Sequence, residues 1–236
     1  MKELKENIQK KIYLYRVMDV CRVVDVFEKK SMYFSHPGKW DDPFETYVDH
    51  QDSHAMFAQC WSRTHTSDAI WRVYSPNNLG VRLSTTEGQL RRGLLKSISS
   101  KGFELRSGSV EYLKPFDLKQ RVGVLARGLK KGFDIEMAAK LLYLKRDSFS
   151  YENEWRFTVY CPNKVAGDID DHIVVKIDPH SIINGILFDP RAPEHFVKAF
   201  SYYFKNHLGF EGYIRRSVLY KAPKKIFLPI TQKVVG

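Results

Sequence analysis

The sequence predicts a mixed α+β fold, a strongly bent central sheet flanked by helices, in a single domain over residues 1–236. Extended segments outnumber helical ones and follow no regular βαβ rhythm. The glycine patterns of Rossmann and P-loop nucleotide sites, G-x-G-x-x-G and G-x-x-x-x-G-K-[ST], are both absent. A chain of 236 residues with 43% hydrophobic and 14% aromatic content is long and apolar enough to bury its own core.

The first half of the chain alternates strands with helices. Val20, Val23, Val24 and Phe27 recur at helical spacing, and Asp19 precedes them as an N-cap. Thr86-Glu87-Gly88-Gln89 has the form of a capping box, which predicts a helix to about residue 97. A short helix capped by Ser67 carries Ile70, Trp71 and Tyr74. Strands are expected at 12–17, 31–35, 56–61 and 79–84.

The second half is predicted on the same grounds. Trp155, Phe157 and Val159 alternate with polar neighbours, which is the period-2 pattern of a strand with one buried face. The other elements are strands at 110–113, 173–177, 183–188 and 212–219, and helices near 116–130, 134–146 and 194–207.

Charge and composition limit the partners. Lys and Arg number 38 against 27 Asp and Glu, a net charge of +11, which favours nucleic acid, a nucleotide cofactor or an acidic protein, unless the surplus only aids solubility. Three widely spaced cysteines predict reduced thiols in a cytoplasmic protein. No apolar run approaches membrane-spanning length, so no membrane association is expected. His50 and His54 have helical spacing, but Gln51 replaces the metalloprotease glutamate, and no metal is predicted.

The segment most suited to chemistry is Tyr151-Glu152-Asn153-Glu154-Trp155-Arg156. By period 2, Glu152, Glu154 and Arg156 share the strand face opposite Trp155. A neighbouring Arg keeps a Glu ionised, and an ionised carboxylate on a rigid strand can orient a hydroxyl and stabilise a cationic transition state. The alternative is an ion-pair ladder on a solvated face.

Two other segments hold candidate binding residues. Arg16 lies in an apolar and aromatic strand, where a charge is costly unless it pairs with a carboxylate such as Glu154 or binds an anionic ligand. The stretch 31–45 ends a strand in a hydroxyl and continues into a loop rich in Pro, Trp and carboxylates, a composition typical of site-shaping loops. Trp71 and Tyr74 suit either aromatic stacking or the core.

Together these segments resemble a bacterial domain family catalogued as of unknown function. The resemblance rests on motifs that span nearly the whole chain in order, and the loop and the E-x-EWR strand are the specific ones. Asp41 stands where the family usually has Asn, and Trp61 where it has Phe. The matching segments are Tyr15-Arg16, residues 33–45, Cys60-Trp61-Ser62 with Trp71, Tyr74 and Gly80, Glu152–Arg156, and residues 182–193.

The order of Arg, Ser and Glu also resembles ADP-ribosyltransferases. That resemblance implies a split, bent sheet and NAD as co-substrate. It implies that Arg16 binds NAD, that Ser35 with Tyr33 shapes the nicotinamide pocket, and that Glu154 grips the nicotinamide ribose. Glu152 would then be the first Glu of an E-x-E pair and Arg156 a supporting charge, while Trp71, Tyr74 or Trp40 would stack on nicotinamide or adenine.

Members of the first family often lie in anti-phage and toxin–antitoxin loci. The chain is similar to the toxin of a toxin–antitoxin–chaperone phage-defence system that ADP-ribosylates RNA, which implies RNA as target and an antitoxin protein as partner. Two alternatives stay open: an enzyme that hydrolyses NAD, and a non-catalytic nucleic-acid-binding module. The second would use the basic pairs Arg91-Arg92, Lys130-Lys131, Arg215-Arg216 and Lys224-Lys225.

Overall fold

The computed structural model describes residues 11–167 and 170–226. The predicted domain also covers residues 1–10, 168–169 and 227–236, which lie outside the described residues. The strands are β1 (Tyr13–Asp19), β2 (Ser31–Ser35), β3 (Met56–Ser62), β4 (Gly80–Thr86), β5 (Glu104–Ser109), β6 (Glu111–Leu113), β7 (Leu144–Arg146), β8 (Glu154–Tyr160), β9 (His172–Lys176), β10 (Gly185–Phe188) and β11 (Tyr213–Arg216). The helices are α1 (Val20–Glu28), α2 (Asp68–Tyr74), α3 (Glu87–Ser99), α4 (Pro115–Leu129), α5 (Ile135–Leu141), α6 (Pro179–Ile182) and α7 (Glu194–Tyr202).

The capping signals predicted from sequence are confirmed. The Asp19 side chain accepts a hydrogen bond from the backbone N–H of Cys21 and so opens α1. Ser67 opens α2 in the same way, and Thr86 accepts from the N–H of Gln89 at the start of α3. These caps fix where the helices that flank the central sheet begin.

One predicted helix is wrong in part. The helix expected at 134–146 ends at Leu141, and β7 follows it. β7 pairs in parallel with β6, with Glu111 opposite Leu144. This long-range pairing overrides the helical periodicity of the segment. It also places the consecutive side chains of Lys145 and Arg146 beneath the loop that follows β2, as described below.

The mixed α+β class is confirmed: within the described residues, nine strands form one mixed sheet and helices flank it. Its longest path runs β11-β10-β4-β1-β3-β2-β9, and β8 joins β3 to β5. The β10–β11 pair is parallel, and the other pairs of this sheet are antiparallel. β5, absent from the sequence-based elements, pairs along its whole length with β8.

The sheet forks at β3. One edge of β3 pairs with β8 over seven positions, from Met56 opposite Tyr160 to Ser62 opposite Glu154. The other edge is shared, since Ser62 pairs with Tyr15 of β1 and Ala58 pairs with Ser35 of β2. β1 and β2 therefore leave β3 at opposite ends, and the region that we call the fork opens between them.

The main core fills the space between the sheet and the helices α1, α3 and α7. Its fully buried centre includes Leu14, Phe34, Phe57, Leu90 and Phe157. A smaller core lies between α4, α5 and β7. The main core packs against the nine-stranded sheet, whereas the smaller core packs against β6 and β7, which pair with each other outside that sheet.

Candidate active site

A cavity of about 520 Å³ opens at the fork, between β1, β3 and α2. We call it the glutamate cavity, because Glu152 and Glu154 line it together with Arg16, Ser62 and Tyr74. A volume of this size suits a small organic ligand.

The sheet register explains how these residues meet. Tyr15, Ser62 and Glu154 stand opposite one another on three neighbouring strands, so their side chains share a face. Arg16 follows Tyr15 and belongs to the other face. Both faces reach one cavity because β1 and β3 separate immediately beyond Tyr15.

The two glutamates are joined by a left-handed residue rather than by a continuous strand. Glu152 ends a 3-10 helix, Asp147–Glu152, and β8 begins at Glu154. Between them Asn153 has φ +46°, a conformation that Asn tolerates better than most residues. Arg63 holds this turn through hydrogen bonds to the carbonyl and side-chain oxygens of Asn153. The prediction that Glu152 lies on the strand is therefore wrong, although its carboxylate still faces the same cavity as that of Glu154.

A buried ionic network surrounds both carboxylates. We call Glu45, Lys145, Glu152, Glu154 and Arg156 the glutamate cluster. The Lys145 ammonium donates to Glu152 and to Oε1 of Glu154, the latter at 2.7 Å, and lies 3.3 Å from Glu45 Oε1. The side chains of all three glutamates are less than one-tenth exposed. The alternative of an ion-pair ladder on a solvated face is therefore wrong.

Arg156 fixes the orientation of Glu154. Its Nε donates to Oε2 of Glu154 at 2.7 Å and its Nη2 to Oε1 at 3.0 Å, the bidentate geometry that Arg and carboxylate favour. The same guanidinium contacts Glu45 and donates to the carbonyl of Leu142. With 1% of its surface exposed, Arg156 lies behind Glu154 rather than on the cavity wall. It is thus placed to support Glu154 and does not itself border the glutamate cavity.

The cluster holds the two carboxylates in different protonation states. Burial alone would raise the pKa of Glu154, but the Arg156 guanidinium and Lys145 outweigh burial and hold this pKa well below its usual range. Burial and the hydrogen bond with Glu154 raise the pKa of Glu152 to about 7, against the opposing effect of Lys145. Two cations serve three buried carboxylates, which is why one carboxylate retains a proton near neutrality.

Tyr74 and Ser62 complete the surroundings of Glu152. The Tyr74 hydroxyl donates to Glu152 Oε1 at 2.9 Å, and the Ser62 hydroxyl donates to the Glu152 carbonyl at 2.7 Å. Burial raises the pKa of the Tyr74 phenol, so it stays protonated as a donor. Trp71 is 2% exposed and packs with Val17 and Ile70, while its edge also lines the glutamate cavity.

The loop after β2 closes the cluster from behind. Asp42 forms a two-point ion pair with Arg146, at 2.8 and 3.2 Å, and Glu45 reaches Lys145 on the same strand. The Trp40 indole donates to the Ser35 hydroxyl at 3.2 Å and covers the Arg156 guanidinium at 4.4 Å. The two specific sequence motifs, the loop and the E-x-EWR strand, are thus parts of one ionic network.

Arg16 differs from every charge in that network. Among the residues described, no carboxylate lies within ion-pair distance of its guanidinium and no hydrogen bond satisfies it. Burial lowers the pKa of Arg16, and the nearby Arg22 lowers it further. The predicted alternative of an ion pair with Glu154 is not observed. A half-buried guanidinium without a partner is suited to an anionic ligand.

Tyr33 and Ser35 do not line the glutamate cavity. They border a second cavity of about 490 Å³ under α1, which we call the α1 cavity. Arg16, Met18, Arg22 and Trp61 line both cavities. On the neighbouring strand β3, the hydroxyl-bearing residue in direct register with Glu154 is Ser62.

The sequence did not predict three residues of the site. Lys145 fell within the predicted helix, Glu45 is distant from Glu154 in the chain, and Ser62 was part of a motif that received no role. The only sequence signal was the shared presence of the loop and the strand motif, which places Glu45 and Ser62 among the motif residues.

Within the described ranges, no group of three His, Cys, Asp or Glu side chains is arranged to hold a metal ion. His54 instead contacts the carbonyl of Lys164. Across 11–167 and 170–226 there is also no helix that combines the length and apolarity needed to cross a membrane.

The glutamate cavity joins an ionised carboxylate, a second carboxylate that titrates near pH 7 and a guanidinium without an ion-pair partner. It can bind an anion while stabilising positive charge a short distance away.

Comparison with known proteins adds a partial family match. The model of a family described as a protein of unknown function, DUF2971, matches residues 70–157, from α2 to the early part of β8. No curated protein matches the chain.

Two solved structures resemble the chain. They are DarT of Thermus sp. 2.9 in complex with NAD+, with a TM-score of 0.40 and 8% identity over 88% of this chain and 95% of that one, and the same protein with carba-NAD+, with a TM-score of 0.39, 8% identity and coverages of 88% and 96%. Because the sequence identity and the TM-scores are low, the fold class of this chain rests on its own strand order.

Proposed function

We propose that this protein is an ADP-ribosyltransferase that uses NAD as co-substrate and Glu154 as its principal catalytic residue. The observation that carries the proposal is the joint presence of Arg16 and Glu154 in one cavity at the fork of the sheet. NAD combines a diphosphate anion with a glycosidic bond whose cleavage creates positive charge. The two residues supply the matching charges in the order that the sequence resemblance to ADP-ribosyltransferases implies.

In the proposed reaction, Arg16 binds the diphosphate and Glu154 accepts a hydrogen bond from a hydroxyl of the nicotinamide ribose. The bond between the anomeric carbon and the pyridinium nitrogen breaks, and its electron pair leaves with neutral nicotinamide. The carboxylate of Glu154 stabilises the oxocarbenium-like transition state. An O–H or N–H group of the target then bonds to the anomeric carbon and releases its proton to Glu152, whose pKa of about 7 suits a proton acceptor at neutral pH.

RNA is the proposed target, within a toxin of the anti-phage, toxin–antitoxin type. The net charge of +11 supports a polyanionic target, and the sequence resemblance supports the biological setting. An enzyme that modifies its own cell's RNA needs restraint, so an antitoxin protein is the proposed partner. Hydrolysis of NAD by water is the competing outcome of the same chemistry, because water can replace the target nucleophile.

The test is transfer from labelled NAD to separate pools of RNA, DNA and protein. Glu154→Gln is expected to lose on the order of 10²–10³-fold in rate, because a neutral amide cannot stabilise the developing cation. Glu45→Gln is the matched control: it removes a carboxylate from the same cluster, but one that lies outside the glutamate cavity. Equal loss in both variants would make the effect structural. Full activity of Glu154→Gln would overturn the assignment, and free ADP-ribose without a labelled pool would favour hydrolysis.

A further inference from the structure

The α1 cavity has no role in the proposed reaction, although it adjoins the glutamate cavity. It lies under α1 and alongside β2, and Tyr33, Ser35 and His172 form part of its wall. It shares Arg16, Met18, Arg22 and Trp61 with the glutamate cavity, so the two cavities meet at these side chains. Their volumes, about 520 and 490 Å³, are nearly equal.

The junction between the cavities is positively charged. Arg22 lies on the first turn of α1, is exposed, and like Arg16 contacts no carboxylate among the described residues. Repulsion between the two guanidiniums destabilises the free protein, and an anion bound between them offsets that repulsion. The junction therefore suits a group with at least two negative charges.

The wall of the α1 cavity offers an aromatic surface. Tyr33 is 39% exposed, and the centroid of its ring lies 5.1 Å from that of the His172 ring. The Tyr33 backbone is held firmly, because its carbonyl accepts from Gln59 at 2.8 Å and β2 pairs with β9 along its length. An exposed ring on a rigid strand is a stacking platform for a planar base.

We propose that the α1 cavity binds the adenosine half of NAD, with Arg16 and Arg22 together holding the diphosphate and Tyr33 stacking on adenine. This inference rests on the proposed function. NAD has one nucleoside at each end of its diphosphate. Glu152 and Glu154 line only the glutamate cavity of this pair, so the reacting nicotinamide ribose belongs there and the adenosine belongs across the junction.

This assignment moves Tyr33 and Ser35 away from the nicotinamide pocket that the sequence resemblance implied. The reason is geometric: β2 leaves β3 at Ala58, whereas the register that carries Glu154 passes through Ser62 at the other end of the strand. Asp25 and Asp171 also line the α1 cavity, and their carboxylates can accept hydrogen bonds from ribose hydroxyls.

The test separates the two halves of the ligand by calorimetric titration with NAD, ADP and nicotinamide mononucleotide. Tyr33→Ala is expected to weaken ADP on the order of tenfold or more through lost stacking, and to leave nicotinamide mononucleotide unchanged. Tyr33→Phe keeps the ring and should bind ADP like the wild type. Arg22→Ala should weaken ADP and NAD. Glu154→Gln should weaken nicotinamide mononucleotide but not ADP.

The outcomes are distinguishable. If Tyr33→Ala weakens nicotinamide mononucleotide and spares ADP, the halves are reversed and the inference is wrong. Unchanged binding of all three compounds by Tyr33→Ala and Arg22→Ala would show that the α1 cavity takes no part. A wild-type protein that binds none of the three would overturn the proposed function itself, and the inference with it.

Discussion

The glutamate cluster and the Arg16–Arg22 junction are adjacent, yet they treat charge in opposite ways. In the cluster every cation contacts carboxylates at ion-pair distance, and little of the network is exposed. At the junction two guanidiniums lack such partners among the described residues. Paired buried charges hold the catalytic side chains in position before a ligand binds, whereas unpaired charges indicate a place where a ligand supplies the opposite charge. The contrast predicts that mutations in the two regions change stability with opposite signs.

The largest effect is expected in the cluster. Lys145→Met should lower the free energy of unfolding by about 3–5 kcal/mol, because three buried carboxylates lose a shared cation. Burial disfavours the Lys145 ammonium, but Glu154 and Glu45 raise its pKa above the usual range, so the charge is present at neutral pH. Urea denaturation measures the change.

Lys29→Met is the control for that experiment. Its ion pair with Asp25 is about half exposed on both sides and is screened by solvent, so its removal should change the free energy of unfolding far less than the removal of Lys145. If Lys145→Met were no more destabilising than Lys29→Met, the cluster would not be the preorganised network described above.

A smaller effect of the opposite kind is expected at the junction. Arg16→Met removes a half-buried charge without a partner, so the free energy of unfolding should stay the same or rise. The affinity for NAD should fall on the order of tenfold or more, through loss of charge-assisted hydrogen bonds to phosphate. Thermal unfolding with and without NAD measures both. A strongly destabilised Arg16→Met protein would mean that the guanidinium is structural.

The last effect concerns pH. The pKa of Glu152 is raised from 4.5 to about 7 in the folded protein, chiefly by burial. Its contribution to stability is therefore full below about pH 4.5 and is lost as pH rises through 7, an effect of about 1–3 kcal/mol. Glu152→Gln should remove that part of the slope between pH 5 and pH 8 in urea denaturation. An unchanged slope would show that another group titrates.

Local patterns in the sequence were enough to predict part of this site. The alternation of Trp155, Phe157 and Val159 predicted a strand with Arg156 near Glu154, and the cost of a lone charge in an apolar strand drew attention to Arg16. Lys145 was missed because its segment has helical spacing, and only the pairing of β7 with β6 makes it a strand. The resemblance to ADP-ribosyltransferases implied a split sheet, but the position of the fork could not be predicted from local patterns: β3 has three partner strands, and pairing between distant segments leaves no local periodicity.

The fork also has a consequence for how such a site changes over evolution. Between Ala58 and Ser62, no described strand pairs with the edge of β3 that faces β1 and β2. Main-chain N–H and C=O groups on that edge are available to whatever enters, and every amino acid except proline presents both. Side chains in the fork can therefore be substituted one at a time while the unpaired edge of β3 keeps the same main-chain hydrogen-bonding groups. A binding surface made of main-chain groups can thus persist after most of the surrounding sequence has changed.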